Sequence, residues 1–167
     1  SNNFDQFDDG VSLNAIQLPD RCNVDVEIPV EVTITPAIIS FFENVDADGL
    51  AHINIWLDTD RDGSWGNGPG LCSPASDDNE HIVIDHTFDP TLLGTPAGTP
   101  GTYTIMVTAP LVSWPQGFGL PEEPAWMRVM LTAIESNKDF QPGAAIPYGD
   151  GRGEDFVYFA GETEDYL

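Results

Sequence analysis

Residues 53–66 constrain the fold of this chain most, because they begin as a β-strand and end as an acidic loop. The aliphatic residues Ile53, Ile55 and Leu57 alternate with Asn54, Trp56 and Asp58, which is the period of a half-buried strand. Over residues 58–63 an aspartate then occupies every second position, and Gly63 follows the last one. A D-x-D-x-D-G run is typical of a calcium loop, so the strand is predicted to lead directly into a metal site.

The chemistry of such a loop follows from its charges. Three carboxylates held close together repel one another unless a cation lies between them. A glycine at the sixth position permits the sharp turn, and the seventh residue usually gives its backbone carbonyl. The predicted Ca²⁺ ligands are the carboxylates of Asp58, Asp60 and Asp62 and the carbonyl of Ser64. The alternative is an acidic, solvated β-turn without metal.

This loop differs from an EF-hand at its end. The twelfth position of an EF-hand loop holds a bidentate glutamate, and here it is Pro69. Residues 66–70 consist mostly of glycine and proline, so an exit helix cannot form. The ligand that closes the metal site must therefore come from another part of the chain.

Alternating segments recur along the sequence. The clearest covers residues 24–34, where Pro29 indicates an edge position or a bulge. Further strands are predicted near Val11 and over 82–88, 102–109, 126–134 and 156–159, with a last one beginning at Tyr166-Leu167. No segment shows convincing helical periodicity, and residues 38–42 are interpreted only as a short apolar run. The predicted fold is an all-β antiparallel sandwich, jelly-roll or immunoglobulin-like, with long loops rich in Gly, Pro and Asp.

The chain length fits one domain with a sizeable core, since it has 167 residues and no internal repeat. Residues 1–13 are acidic with few apolar anchors and are predicted to be an N-terminal arm. Residues 14–167 are predicted to form the single sandwich domain.

The composition is strongly acidic, with 28 acidic and 5 basic residues and a net charge of −23. Such a chain would repel nucleic-acid phosphates and anionic membranes, and no stretch has the length of a membrane-spanning helix. The acidity suits a calcium-rich or salty extracellular setting, where ions screen the repulsion. Because the sequence begins at Ser1, we interpret it as a mature protein or a domain of a longer exported chain.

The two cysteines, Cys22 and Cys72, are expected to pair as a disulfide in an exported protein. On the chain-entropy model, a bridge across a loop of this length would stabilise the fold by about 4 kcal/mol. The alternative is two unrelated buried thiols.

The C-terminal residues 161–167 read Gly-Glu-Thr-Glu-Asp-Tyr-Leu. They resemble the signature of the GEVED domain, named for G-E-V-E-D-Y, with Thr163 in place of valine. Two earlier blocks match in the same order: residues 7–11 resemble a D-E-D-G-V lead-in, and residues 55–65 resemble a W-I-D-x-N-x-D-G-x-W block. A weaker match is residues 126–131, which are similar to an R-V-R-like strand of the family.

The resemblance implies a β-sandwich module of large secreted or surface proteins of bacteria and some archaea, without catalytic activity. Residues 148–158 depart from the family pattern and look like an insertion, and the chain stops at Leu167 where the family's strand continues.

The signature segment could also contribute to the metal site, because it contains three carboxylates within four residues. In a strand, Glu162 and Glu164 share one face. Together with Asp165 they are predicted to lie near the aspartate loop and to supply the ligand that Pro69 cannot. The alternative is a solvated acidic strand end.

Features of the sequence bear on three classes of function. The leading hypothesis is a calcium-stabilised extracellular structural or adhesive module that assembles with neighbouring copies or domains. Copies would join into a filament by strand exchange, in which the arm of one copy pairs with a sheet edge of the next. The rival is a monomer whose arm folds back on its own sheet. The alternative function is a carbohydrate-binding module, in which Trp65, Trp114 and Trp126 are candidates to stack on sugar rings of a polysaccharide, and a core position is the favoured interpretation for Trp126. A glycosidase would need a defined pair of carboxylates, and no nucleophile–base constellation is visible, so an enzyme is not expected.

Overall fold

A computed structural model describes residues 10–11, 24–45, 48–58, 67–69, 77–111, 126–132 and 161–166. The strands are β1 Gly10–Val11, β2 Val24–Ile34, β3 Ala51–Leu57, β4 Asn67–Pro69, β5 Asp77–Asn79, β6 His81–Phe88, β7 Gly101–Leu111, β8 Met127–Thr132 and β9 Gly161–Tyr166. One α-helix, α1, covers Pro36–Val45, and a 3-10 turn covers Pro90–Leu92. The predicted all-β class is confirmed.

The strands form three sheets, in which every pairing is antiparallel. The first sheet has the order β1-β2-β7, the second β6-β3-β8-β9, and the third is the small pair β4-β5. The structure thus places β3, the strand that leads into the aspartate loop, in the interior of a sheet.

The pairing of β2 with β7 is the longest in the described residues. It runs from Val24 opposite Leu111 to Ile34 opposite Gly101 without a register shift. The strand predicted over 24–34 is therefore confirmed, and the bulge considered at Pro29 is absent. On its other side β2 pairs with β1 only at Val30 and Glu31, so no described strand lies opposite Pro29 there.

One hydrophobic cluster contains buried side chains from both larger sheets. It comprises Val26, Ile28, Val30, Val32 and Ile34 of β2, Ile53, Ile55 and Leu57 of β3, Ile82 and Val83 of β6, Val107 and Ala109 of β7, and Met127 and Val129 of β8. Alternate residues of each strand point to the same face, which is why the period-2 pattern produces a common core. The shared core favours the sandwich arrangement, which stays a prediction.

The helix α1 corrects the sequence analysis, which found no helix. Its first turn is capped by Thr35, whose Oγ1 accepts from the Ile38 N–H at 3.2 Å, and Pro36 occupies the first helical position. Ile38 is followed three and four residues later by Phe41 and Phe42, which is helical spacing that the short apolar run concealed. Phe42 is buried and packs near Ala51 at the start of β3.

Strand β3 also differs from its prediction, because it is buried on both faces rather than on one. All seven residues from Ala51 to Leu57 are buried. The strand lies between β6 and β8, and its second face carries His52, Asn54 and Trp56. The alternation with polar residues therefore marked a buried polar face and not a solvent-exposed one.

The remaining strand predictions have mixed outcomes. The short strand β1 confirms the strand near Val11, and β8 covers 127–132 of the predicted 126–134. The last strand begins at Gly161 rather than at Tyr166, so the segment resembling the family signature is itself a strand. The strand predicted over 156–159 and both cysteines lie outside the described residues. In the part of the chain that is described, no helix is long and apolar enough to cross a membrane.

Truncation of a core isoleucine tests this packing. Ile55 is fully buried in β3, whereas Ile84 of β6 is 43% exposed. We expect Ile55→Ala to lower the free energy of unfolding by about 2–5 kcal/mol, because the lost contacts leave a cavity. The matched variant Ile84→Ala should cost about 1 kcal/mol or less. Chemical denaturation measures both, and equal losses would contradict the assigned core.

Candidate metal centre and the polar face beside it

The second face of β3 is built from polar groups that are shielded from water. The buried polar residues of the described chain are Thr33, His52, Asn54, Asp58, Glu80, His81 and Thr132. Register places His52 opposite Thr132 and Trp56 opposite His81, so β6 and β8 complete the face that β3 begins. Buried polar groups are unfavourable unless they are hydrogen-bonded, so their internal partners define the arrangement.

Asn54 is the centre of the hydrogen bonds on this face. Its Oδ1 accepts from the backbone N–H of Asp85 at 2.9 Å, and its Nδ2 donates to Asp85 Oδ1 at 2.9 Å. These two bonds fix the orientation of the amide, so the 2.8 Å contact of Oδ1 with His81 Nε2 requires Nε2 to carry the proton. Asp85 has a φ of 48° and lies where the β3–β6 register shifts, which turns its N–H toward Asn54.

His81 is held neutral by its surroundings. Its ring stacks on the indole of Trp56, with ring centroids 4.0 Å apart and an interplanar angle of 9°. Burial lowers the pKa of His81 to about 4, outweighing the carboxylate of Asp85 and a backbone hydrogen bond at Val83, which both raise it. His81 is therefore a neutral hydrogen-bond donor at physiological pH.

Asp58, the first predicted metal ligand, follows directly after β3. Its backbone N–H donates to the Trp126 carbonyl at 2.9 Å, and the Leu57 N–H donates to the Glu80 carbonyl at 2.8 Å. Asp58 is 1% exposed, and Glu80 is equally buried. A buried carboxylate is strongly unfavourable unless cations or hydrogen bonds compensate its charge. The first aspartate of the run therefore lies in the protein interior at the end of β3. Backbone hydrogen bonds to Glu80 and to Trp126 hold this end of the strand in place.

The other predicted loop ligands, Asp60, Asp62 and Ser64, lie outside the described residues, as do Trp65 and Trp114. Within the described ranges, no group of three or more His, Cys, Asp or Glu residues could hold a metal ion. A calcium site at Asp58 would therefore need the loop that follows it, and the site stays a prediction.

The register of β9 shows where along the sheet each of the three acidic residues of the signature lies. Glu162 is opposite Leu131, Glu164 is opposite Val129, and Asp165 is opposite Arg128. Asp165 therefore lies toward the end of the sheet where Asp58 is found, and Glu162 lies toward the other end. Because β8 separates β3 from β9, the two backbones are about 10 Å apart.

Arg128 is a residue that the sequence analysis did not single out. It is half-buried, and it is the only lysine or arginine among the described residues. Its position opposite Asp165 sets a cation against one acid of the signature. The sequence feature that could have identified Arg128 is that it is the one basic residue in a predicted strand whose other residues are mostly apolar.

Trp126 was expected in the core, and this expectation is wrong, because its side chain is 44% exposed. The residue lies immediately before β8, where the sheet ends, so fewer neighbours cover it. Asn54, His81 and Asp85 were also missed as a cluster. Their signal was weak, since polar residues in a strand ordinarily mark its solvent side.

Comparison with known proteins identifies no relative: no family model, curated protein or solved structure matches the chain. The resemblance to the GEVED domain therefore rests on the sequence blocks themselves. The structure adds that the last block, over 161–166, is a strand of the same sheet as β3.

The buried histidine predicts a pH-dependent stability. The folded pKa of His81 is about 4 and its ordinary value is 6.5, so its contribution is complete above pH 6.5 and is lost toward pH 4. We expect the free energy of unfolding of the native chain to fall by about 3 kcal/mol relative to His81→Gln over this range. Apart from residue 81, the two proteins have the same titratable groups. The difference between their free energies of unfolding in urea therefore reports the contribution of His81 alone. Parallel pH profiles would contradict the assignment.

Proposed function

We propose that this chain is a calcium-stabilised, non-catalytic structural or adhesive module of the cell exterior. The observation that carries the proposal is the placement of Asp58. It is the first residue of a D-x-D-x-D-G run, it is 1% exposed, and its backbone N–H donates to the carbonyl of Trp126, directly before β8, at 2.9 Å. A carboxylate fixed in the interior at the mouth of an acidic loop is suited to a bound cation.

Calcium fits this position better than a transition metal. The loop residues offer carboxylate and carbonyl oxygens, which are ligands for Ca²⁺ or Mg²⁺, whereas zinc favours nitrogen and sulfur. A divalent ion would also lower the self-repulsion of a chain with a net charge of −23. Of the signature carboxylates, the register favours Asp165 as a further contributor, because it lies nearest the end of the sheet where Asp58 is found.

The setting is proposed from the sequence resemblance and the composition. A GEVED-like module would belong to a secreted or surface protein, and an acidic chain of this kind suits an exterior rich in salt or calcium. In that oxidising setting Cys22 and Cys72 would form a disulfide.

Calcium titration tests the proposal directly. We expect Ca²⁺ to raise the melting temperature, because an ion that binds only the folded chain stabilises it, by about 3 kcal/mol at one hundred times Kd. Asp58→Asn should weaken calcium affinity at least about tenfold, since it removes a charged ligand from the interior. Differential scanning calorimetry and isothermal titration measure the two effects.

The matched control is Asp25→Asn, which makes the same chemical change at an exposed position on the other sheet. It should keep the full calcium-dependent rise in melting temperature. A melting curve that neither EDTA nor added calcium changes would overturn the calcium proposal.

Self-assembly is the second part of the proposal, and it concerns β1. Within the described residues, Gly10 pairs with Glu31 and Val11 pairs with Val30 of the same chain. The proposed exchange would replace this antiparallel pairing by the same pairing with a neighbouring copy. Calcium would assist by reducing repulsion between acidic subunits.

Light scattering distinguishes exchange from an arm that stays on its own sheet. We expect large particles only for the full chain in calcium, and none for a chain lacking residues 1–13. Val11→Pro should also reduce assembly, because proline removes the backbone donor, while Val11→Ala retains it. If the full chain remains monomeric at high calcium and high concentration, the exchange proposal is wrong.

A further inference from the structure

Strand β7 forms one edge of its sheet in the part of the chain that the structure describes. The sheet has the order β1-β2-β7, and β7 pairs with β2 along its whole length, from Gly101 to Leu111. No other described strand lies beside β7 in this sheet. The backbone N–H and C=O groups on the outer side of an edge strand form a template for pairing with a further strand.

Two prolines identify which backbone groups of β7 point outward. In an antiparallel ladder, opposite residues alternate between pairs that exchange two hydrogen bonds and pairs that exchange none. Pro29 and Pro110 have no N–H, so the pairs Pro29–Met106 and Asp25–Pro110 are of the second kind. Because the ladder has no register shift, every second residue of β7 directs its N–H and C=O away from β2. These residues are Thr102, Thr104, Met106 and Thr108.

Most features that ordinarily protect an edge strand from pairing are missing from β7. The usual ones are charged side chains, bulges, prolines and short length. Strand β7 has eleven residues and no charge, its ladder with β2 is regular, and its one proline is near the end. The side chains of the outward residues are exposed, and Met106 in the middle of the strand is 52% exposed. The edge is therefore suited to accept another strand.

The distribution of charge along the chain indicates that the partner is a second copy. No Asp, Glu, Lys or Arg occurs between Asp89 and Glu122, although 20% of the chain is charged. Two copies with a net charge of −23 each repel one another, and β7 is a place where they can meet without bringing like charges together. A contact between identical surfaces must also be complementary to itself, as an uncharged antiparallel strand is.

A two-fold axis at Met106 gives the longest pairing, because Met106 is the middle residue of β7. This axis places Met106 opposite Met106 of the second copy, and Thr104 opposite Thr108 of the second copy. The outward N–H and C=O groups of these residues would form the hydrogen bonds between the copies. We propose that two copies of this chain associate by antiparallel pairing of their β7 strands about this axis, which joins their sheets into one.

The acidic residues of β2 are far enough from this contact to permit it. Glu31 lies opposite Thr104, and Glu27 lies opposite Thr108, whose Oγ1 donates to Glu27 Oε1 at 2.7 Å. In the dimer, Glu31 of one copy and Glu27 of the other would be separated by three strand spacings, about 14 Å. This distance exceeds the Debye length of about 8 Å at physiological ionic strength, so their repulsion is largely screened.

The dimer depends on neither the proposed calcium site nor the N-terminal arm. Strand β7 lies on the opposite side of β2 from β1, and its pairing requires no ion. The dimer is therefore expected in EDTA as well as in calcium, whereas exchange of the arm is expected to give large particles in calcium only.

Sedimentation velocity of the full chain in EDTA, at about 0.15 M salt and increasing protein concentration, measures the association. We expect a reversible monomer–dimer equilibrium. Met106→Glu should weaken it at least about tenfold, because the axis brings the two added carboxylates together. Thr104→Pro should also weaken it, because proline removes an outward N–H and no hydrogen bond to β2. The matched control Ile84→Glu adds the same charge at an exposed position of β6 and should dimerise as the native chain does.

Cysteine cross-linking tests the register of the pairing. Opposite residues of a hydrogen-bonded pair have Cα atoms about 5.5 Å apart, which suits a disulfide. Met106→Cys should therefore give a disulfide-linked dimer under mild oxidation. Thr102→Cys should not, because residue 102 would lie about 27 Å from its counterpart. The native chain measures any cross-linking through Cys22 and Cys72.

Urea unfolding establishes that each variant is folded, and the cysteine variants serve if Met106→Glu is not. The proposal is overturned if the native chain stays monomeric at every concentration, if Met106→Glu dimerises like the native chain, or if both cysteine variants cross-link equally. A dimer that is lost when residues 1–13 are removed would assign the contact to the arm and overturn the proposal too. A monomer whose melting temperature still rises with calcium would leave the calcium proposal intact.

Discussion

The burial of strand β3 on both faces is the constraint on which the rest of the structure depends. One face contributes Ile53 and Ile55 to the core shared with the other sheet. The opposite face carries Asn54 and Trp56, which are equally buried. A strand in this position loses water on both sides, so every polar group it carries needs a partner inside the protein.

Asn54 meets that requirement by bonding to Asp85 and His81, and these bonds shape the neighbouring strand. The ladder between β3 and β6 is irregular at the same place, with register shifts around Ile55 and a positive φ at Asp85. The side-chain bonds thus replace backbone pairing where β6 departs from the ladder. The neutral state of His81 belongs to the same arrangement, because a protonated ring would be a desolvated charge between Trp56 and Asn54.

The rigidity of β3 bears on the proposed calcium site at its end. Backbone hydrogen bonds join Leu57 to Glu80, directly before β6, and Asp58 to Trp126, directly before β8, so Asp58 has a fixed position before any ligand arrives. Sites carried on the ends of strands are held more accurately than sites carried on loops alone.

Local periodicity was enough to predict the fold class and the longer strands, but not the short strands β4 and β5 or the start of β9. The pattern over 24–34 coincides with β2 because alternation is a property of successive residues and needs no distant partner. The helix α1 was missed although its cap at Thr35 and its apolar spacing are local, because a short apolar run fits either a strand or a helix. Asp58 was singled out as a metal ligand from its spacing to the next aspartates, which is also local, and that role stays a prediction.

Sequence by itself therefore determined the longer extended segments, where the acidic run begins, and how charged the chain is. Only the tertiary structure decided that the second face of β3 is buried, that Trp126 is exposed, and that Asp165 lies opposite Arg128. The physical reason is that burial and cross-strand register depend on which strands become neighbours. Asn54 is separated from Asp85 by 31 positions, and a pattern within one strand carries no information about a partner so distant.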